Sequence, residues 1–122
     1  MGISTGLALN GFIPVTCYPR FDFLILSLNQ LVNHLDKIKD MSLGKLKAKV
    51  IIRTSIGSKK PLNGGPQHTQ DHTIAIKKML KNIEVVKLKK TNQIFKSYKK
   101  ALKRKDMKST LLIEYGDYYN KP

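Results

Sequence analysis

A chain of 122 residues with 41% hydrophobic side chains is long enough for one domain with a real core, too short for two of ordinary size, and too apolar for a disordered polymer. Its formal net charge of +15 is almost all lysine, because Arg20, Arg53 and Arg104 are the only arginines. Nucleic-acid readers lean on arginine for bidentate contacts, so the lysine excess leaves two readings open: an anionic partner, or an A+T-rich coding sequence that also enriches Ile and Asn.

In chain order, residues 3–10 are small and apolar between Gly2 and Gly11, which predicts a short helix closed by Gly11. Residues 13–18 read as a short buried strand with Pro14 near its start. Cys17, the only cysteine, excludes a disulfide framework and a cysteine-based zinc site, so a reducing, cytoplasmic setting is expected. Arg20 is the first positive charge, so the N-terminal stretch lacks the basic region of a signal peptide. Asp22 suits the N-cap of a helix over 22–39, where Leu24, Leu28, Leu31, Leu35 and Ile38 recur at three- and four-residue spacing. A second strand is expected over 49–53, where Val50, Ile51 and Ile52 form the apolar centre of a strand covered on both faces. Residues 54–69 read as a long loop rich in Gly and Pro, a length that is often functional. A helix over 70–81, a strand over 83–88, a helix over 91–104 capped by Thr91 or Asn92, and a strand over 109–115 complete the pattern. Residues 118–122 carry no clear assignment, and no apolar run approaches the roughly 20 residues of a membrane helix, so a soluble protein is expected.

Strands alternating with helices predict an α/β fold: a single domain with an open, doubly wound parallel sheet in three layers. Ligands of such sheets gather beyond the carboxyl ends of the strands. Here those ends are residues 17–21, the 54–69 loop, Lys89 with Lys90, and 115–118.

The loop carries Gln67-His68-Thr69-Gln70 after Val50-Ile51-Ile52-Arg53 and Ile56-Gly57. Upstream stand Phe21-Asp22-Phe23, then Asn29-Gln30-Leu31-Val32-Asn33, and before them Gly2-Ile3-Ser4-Thr5-Gly6 with Pro14-Val15. These four stretches, in this order over residues 2–70, resemble the aminopyrimidine-binding (Pyr) domain of transketolase-type thiamin diphosphate enzymes. They are most similar to the beta subunit of 2-oxo acid dehydrogenases such as pyruvate dehydrogenase, an oxidoreductase component. The family's own motifs are Gln-His-Ser-Gln, an aromatic-acid-aromatic triplet before a helix, and Gly-Ile-x-x-Gly before Pro-Val.

The resemblance implies thiamin diphosphate, shared with a diphosphate-binding domain or alpha-type subunit that also holds magnesium. It therefore implies a homo- or hetero-oligomer. His68 matches a catalytic histidine that faces the reacting centre and moves a proton or steadies charge near neutral pH. Phe21 matches a cofactor-binding aromatic against the aminopyrimidine; its other reading is a core anchor before the helix. The family glutamate that activates the aminopyrimidine falls a few residues before Gly2. The chain is thus expected to be N-terminally truncated, without the family's first strand and helix, and inactive alone; Glu84 and Glu114 are the only glutamates.

Other residues yield less. His34, on the helix, reads as a hydrogen-bonded interior or interface residue. His72, four residues after His68, lacks an acidic or third nitrogen ligand nearby, so no metal is expected. Cys17 stands where the family often has an acid, and Tyr18-Pro19-Arg20 replaces a mostly apolar stretch. Arg20 is either an anchor for an anionic substrate or a solvated rim residue. Two other functions compete with the enzyme half-site. One is a non-catalytic or regulatory relative that keeps the fold. The other is a lysine-rich nucleic-acid module, disfavoured because Phe95 and Tyr98, assigned to the buried face of their helix, are the only aromatics among its lysines.

Overall fold

The computed structural model describes residues 1–119. Helix α1 (Gly2–Leu9) leads to strand β1 (Val15–Cys17), with Gly11 at φ +89° making the turn that L side chains resist. Helix α2 (Phe21–Ile25), a π-helical turn (Gln30–Leu35) and helix α3 (Ile38–Met41) precede strand β2 (Ile51–Ile56). Helices α4 (Gly65–His68) and α5 (Thr73–Met79), strand β3 (Glu84–Lys87), helix α6 (Gln93–Lys103) and strand β4 (Thr110–Tyr115) follow. A 3-10 turn, Gly116–Tyr118, closes the described chain. Residues 120–122, part of the unassigned tail, lie outside the described residues.

The four strands form one all-parallel sheet in the order β1-β2-β4-β3. The fold is α/β, as the alternating pattern predicts. On one face Leu24, Leu31, Leu35 and Ile76 pack against Val50, Ile52, Ile56, Leu111 and Ile113. On the other, Ala101 and Tyr98 of α6 cover Ile51, Leu112 and Val86. Truncating one of the buried Leu or Ile side chains to Ala costs about 2–5 kcal/mol.

The structure corrects several expected boundaries: the first strand is shorter, Val15–Cys17, the loop over 54–69 holds α4, and the 70–81 helix is Thr73–Met79. The 22–39 helix is not continuous. Ser27 donates its hydroxyl to Leu24 O at 2.9 Å, a side-chain bond that competes with the helical ladder. The chain resumes with a wider register in which Asp36 N reaches back five residues to Leu31 O at 3.0 Å. That shift turns the fully buried Asp36 inward, where Oδ1 accepts the amides of Lys81, Asn82 and Ile83 at 3.0, 2.7 and 3.2 Å.

Strand β2 also runs later than expected, through Thr54 and Ser55 of the expected 54–69 loop. Paired with Ile113 and Glu114 of β4, they are buried all the same, and Ser55 Oγ donates to Pro19 O at 2.7 Å. Lys49, expected in the strand, lies before it. Its buried ammonium donates to Leu102 O and Arg104 O at 2.6 and 2.8 Å, a positive charge on the free carbonyls at the end of α6. Helix α6 has no side-chain cap at Asn92; Gln93 Oε1 instead accepts the amides of Lys89 and Lys90.

Candidate functional site

The carboxyl ends of β1 and β2 lie side by side, with Cys17 opposite Arg53 and Tyr18 N bonded to Arg53 O at 2.8 Å. Past β1 the chain turns at Pro19 and Arg20 straight into α2. Past β2, Gly57 donates its amide to His68 O at 3.0 Å, which ties the far end of the long loop back to the sheet edge. No other residue serves at Gly57. A β-carbon there would stand 2.3 Å from His68 O, with the Arg20 Nε 3.3 Å away on the other side.

Phe21 and His68 therefore share one sheet edge, but they sit at different depths. The Phe21 ring is 1% exposed and meets His72 edge-on at 5.4 Å. His68 lies at the surface, stacked on Phe23 at 6.0 Å with the rings 23° apart. Phe23 is 40% exposed, so the open aromatic face at this edge belongs to it.

Asp22 joins the two segments. It does not cap α2, whose N-cap is Arg20 without a side-chain bond. Its Oδ2 instead accepts from His68 Nδ1 at 3.0 Å. A carboxylate only accepts, so the shared proton sits on Nδ1 and leaves Nε2 as the free nitrogen. Asp22 Oδ1 is buried and has no hydrogen-bond partner, an acceptor left over for a donor. Sequence reasoning read Asp22 as a cap; the signal for its role was the acid between two aromatics in the Phe21-Asp22-Phe23 motif.

Arg20 is half-buried beside this pair. Its one hydrogen bond is to the neighbouring Pro19 O at 3.3 Å, and none of the described ion pairs includes it. The other two histidines take no part in the His68–Asp22 bond. His34 is exposed rather than interior. The His72 Nε2 is buried without a hydrogen-bond partner. Among the described residues no group of three or more His, Cys, Asp or Glu side chains could hold a metal ion.

Both glutamates are engaged away from His68. Glu84, at the start of β3, pairs with Lys100 at 2.9 Å and with Arg104. Glu114 sits on the α6 face of the sheet and accepts from Arg53 Nε and Nη2 at 3.0 and 2.8 Å and from Tyr98 at 2.6 Å. Tyr119 donates to the same carboxylate. Burial pushes the Glu114 carboxyl up, but the Arg53, Tyr119 and Tyr98 bonds outweigh it and hold it below the ordinary range. On α6, Tyr98 takes the buried face as expected, whereas Phe95 is 73% exposed with the Lys99 ammonium 5.5 Å over its ring. Phe95 follows Ile94 by one position, which swings it to the flank of the helix.

The family profile described as "Transketolase, pyrimidine binding domain" matches residues 1–120. The chain belongs to this family. A search of curated proteins finds no match. Membership makes the chain a pyrimidine-binding domain of the thiamin diphosphate-dependent enzymes. The edge is compatible with that cofactor's planar aminopyrimidine: an exposed Phe23 ring stacked with an imidazole, an unpaired carboxylate oxygen for an amino group, and Gly57 keeping the loop close. In a pyrimidine-binding domain these features lie where parallel sheets gather their ligands.

Proposed function

We propose that this chain is the pyrimidine-facing half of a thiamin diphosphate site of the 2-oxo acid dehydrogenase beta-subunit type, completed by a diphosphate-binding domain or alpha-type subunit that holds magnesium. The observation that carries the reading is the His68–Asp22 pair at the carboxyl edge of the sheet, beside the open Phe23 ring. The cofactor, when bound, supplies a carbon nucleophile and an electron sink. The protein's part is narrower. Asp22 fixes the His68 ring through Nδ1, so that Nε2 holds or delivers a proton at one place. Phe23 offers a flat apolar face, and Phe21 anchors α2 from below. A Phe21 ring in direct contact with the aminopyrimidine would require the ring to leave the core.

An exposed apolar surface supports the partner. Ile3 (84%), Phe12 (62%) and Leu26 (85%) are open to solvent, and among the described residues β1 has a strand neighbour on one side only. A second reading, a non-catalytic relative that keeps the fold, is favoured by the placement of Glu84 and Glu114 away from His68.

The deciding experiment mixes the chain with thiamin diphosphate, magnesium and a 2-oxo acid, with and without a diphosphate-binding alpha-type subunit, and follows decarboxylation together with cofactor binding by calorimetry. Turnover only in the presence of the partner is the expected result. Cofactor binding without turnover in the completed complex would establish the non-catalytic relative. Absence of cofactor binding in that complex would overturn the half-site and leave the non-catalytic relative.

A further inference from the structure

Beyond the ends of β2, β4 and β3 lies a cavity of about 450 Å³ whose lining includes Thr69 but neither His68 nor Asp22. Its position follows from the topology. The connection leaving β2 crosses one face of the sheet through α5, while the one leaving β3 crosses the opposite face through α6. Both β2 and β3 flank β4, so their outgoing loops part above its carboxyl end. Such a parting of loops is where open parallel sheets hold ligands.

The lining has a definite chemistry. Three ammonium-bearing residues, Lys59 after β2 and Lys87 and Lys89 at the end of β3, face one carboxylate, Asp71. Asp71 is already engaged: it pairs with Lys87 at 2.5 Å and accepts the Thr73 amide at 3.0 Å. A second carboxylate, Asp117, stands at the rim, accepting the Lys59 amide at 2.8 Å and bonded to Tyr115. Among the described residues neither the Lys59 nor the Lys89 ammonium has a hydrogen bond or ion pair, so both are left to meet a ligand. The walls are aromatic, because Tyr115 and Tyr118 meet edge-on at 5.2 Å, and the floor is the buried Ile56 and Leu88.

We propose that this cavity is a binding site for a small phosphate monoester with an apolar organic body. A phosphate monoester carries a charge of about −1.5 to −2 at neutral pH and three acceptor oxygens, which serve two unpaired ammonium groups better than a monocarboxylate does. Lysine binds phosphate as a point charge and needs no bidentate geometry, which suits a lining without arginine. The organic body lies between the tyrosine pair and the aliphatic floor. A cavity of this size accommodates one small molecule. The site stands apart from the pyrimidine reading, since it uses none of Phe21, Asp22, Phe23 and His68.

The test is calorimetric titration of the whole chain with phenyl phosphate, inorganic phosphate and phenol. Phenyl phosphate is expected to saturate one site and to bind at least about ten-fold tighter than inorganic phosphate, because only it fills both the charged rim and the apolar wall. The double variant Lys59→Gln/Lys89→Gln should weaken it by about ten-fold or more. A control, Lys103→Gln/Lys105→Gln, removes two lysines from another basic hollow, at the end of α6, and should leave the affinity unchanged. Equal losses in the two variants would mean diffuse attraction to a basic surface and overturn the proposal, as would titration without saturation. Displacement of phenyl phosphate by a single-stranded oligonucleotide at about 200 mM salt would also overturn it, by assigning the lysines to nucleic acid.

Discussion

His68 and Asp22, 46 residues apart in sequence, meet at 3.0 Å through Nδ1 and Oδ2. One comes from the loop after β2 and the other from the helix after β1, so the bond clamps two crossovers of the sheet together. In the partner-completed complex, His68→Ala should lower kcat by about 10²- to 10⁴-fold, the range for a removed general acid or base. Asp22→Ala should keep the imidazole and lose its orientation. Nitrogen NMR of the His68 ring reads this directly: the Nδ1–H tautomer dominates in the parent chain, and an unchanged tautomer population in Asp22→Ala would sink the clamp.

Gly57 holds the same clamp from the backbone. A β-carbon there would stand 2.3 Å from His68 O, a separation no structure tolerates without movement. Gly57→Ala should therefore break the Gly57–His68 bond, displace α4, and cost roughly 2 kcal/mol measured by urea unfolding. Amide exchange at Gly57 should rise well above that of its β2 neighbours. Slow exchange at Gly57 in the variant would mean the loop has another anchor.

Asp36 links the stability of the fold to pH. Burial pushes its carboxyl up, but the Lys37 hydrogen bond and the amides of Asn82 and Lys81 outweigh that and leave it below the ordinary value. A group depressed in the folded state contributes stability that is present above its unfolded value of 3.8 and lost as pH falls through the folded one. Acid unfolding below about pH 4 should thus be shallower in Asp36→Ala, which should also lose about 3 kcal/mol at neutral pH because three amides lose their acceptor.

The tyrosines around Glu114 supply an optical readout. Burial and the Glu114 bond push the Tyr119 phenol up to about 12 and Tyr98 higher still. Groups raised in the folded state contribute stability that is full below the unfolded value near 10 and lost as pH rises through the folded one. Ultraviolet titration should show a late ionising phase above pH 11 or so that disappears in Tyr98→Phe/Tyr119→Phe. A single phase centred near 10 in the parent chain would refute the cluster.

Periodicity made the sheet order of events legible. Leu24, Leu31 and Leu35 all reach the core from the spacing that marks them as one stripe. What the spacing cannot carry is a side chain that leaves its own element. Ser27 bonding back to Leu24 breaks the helix, and Asp36 finds its partners at 81–83, so neither is visible in a local window. Thr54 and Ser55 read as loop because burial of a polar strand residue depends on strands paired from elsewhere. At the site, His68 stood out through its motif. Asp22 did not, since an acid before an apolar run has the look of a cap.

Strand β4, at the centre of the sheet, is the last of the four to be synthesised. Until the ribosome has added Thr110–Tyr115, β3 has no neighbour at all, and β2 has only the three residues of β1. Nothing in the order of elements lets an early hairpin form, because every pairing is parallel and spans a crossover. Before β4 is present the other three strands are therefore expected to stay open to proteases, and to close in one step when it pairs with β2 and β3. Among the described strands, β4 sets the timing of folding.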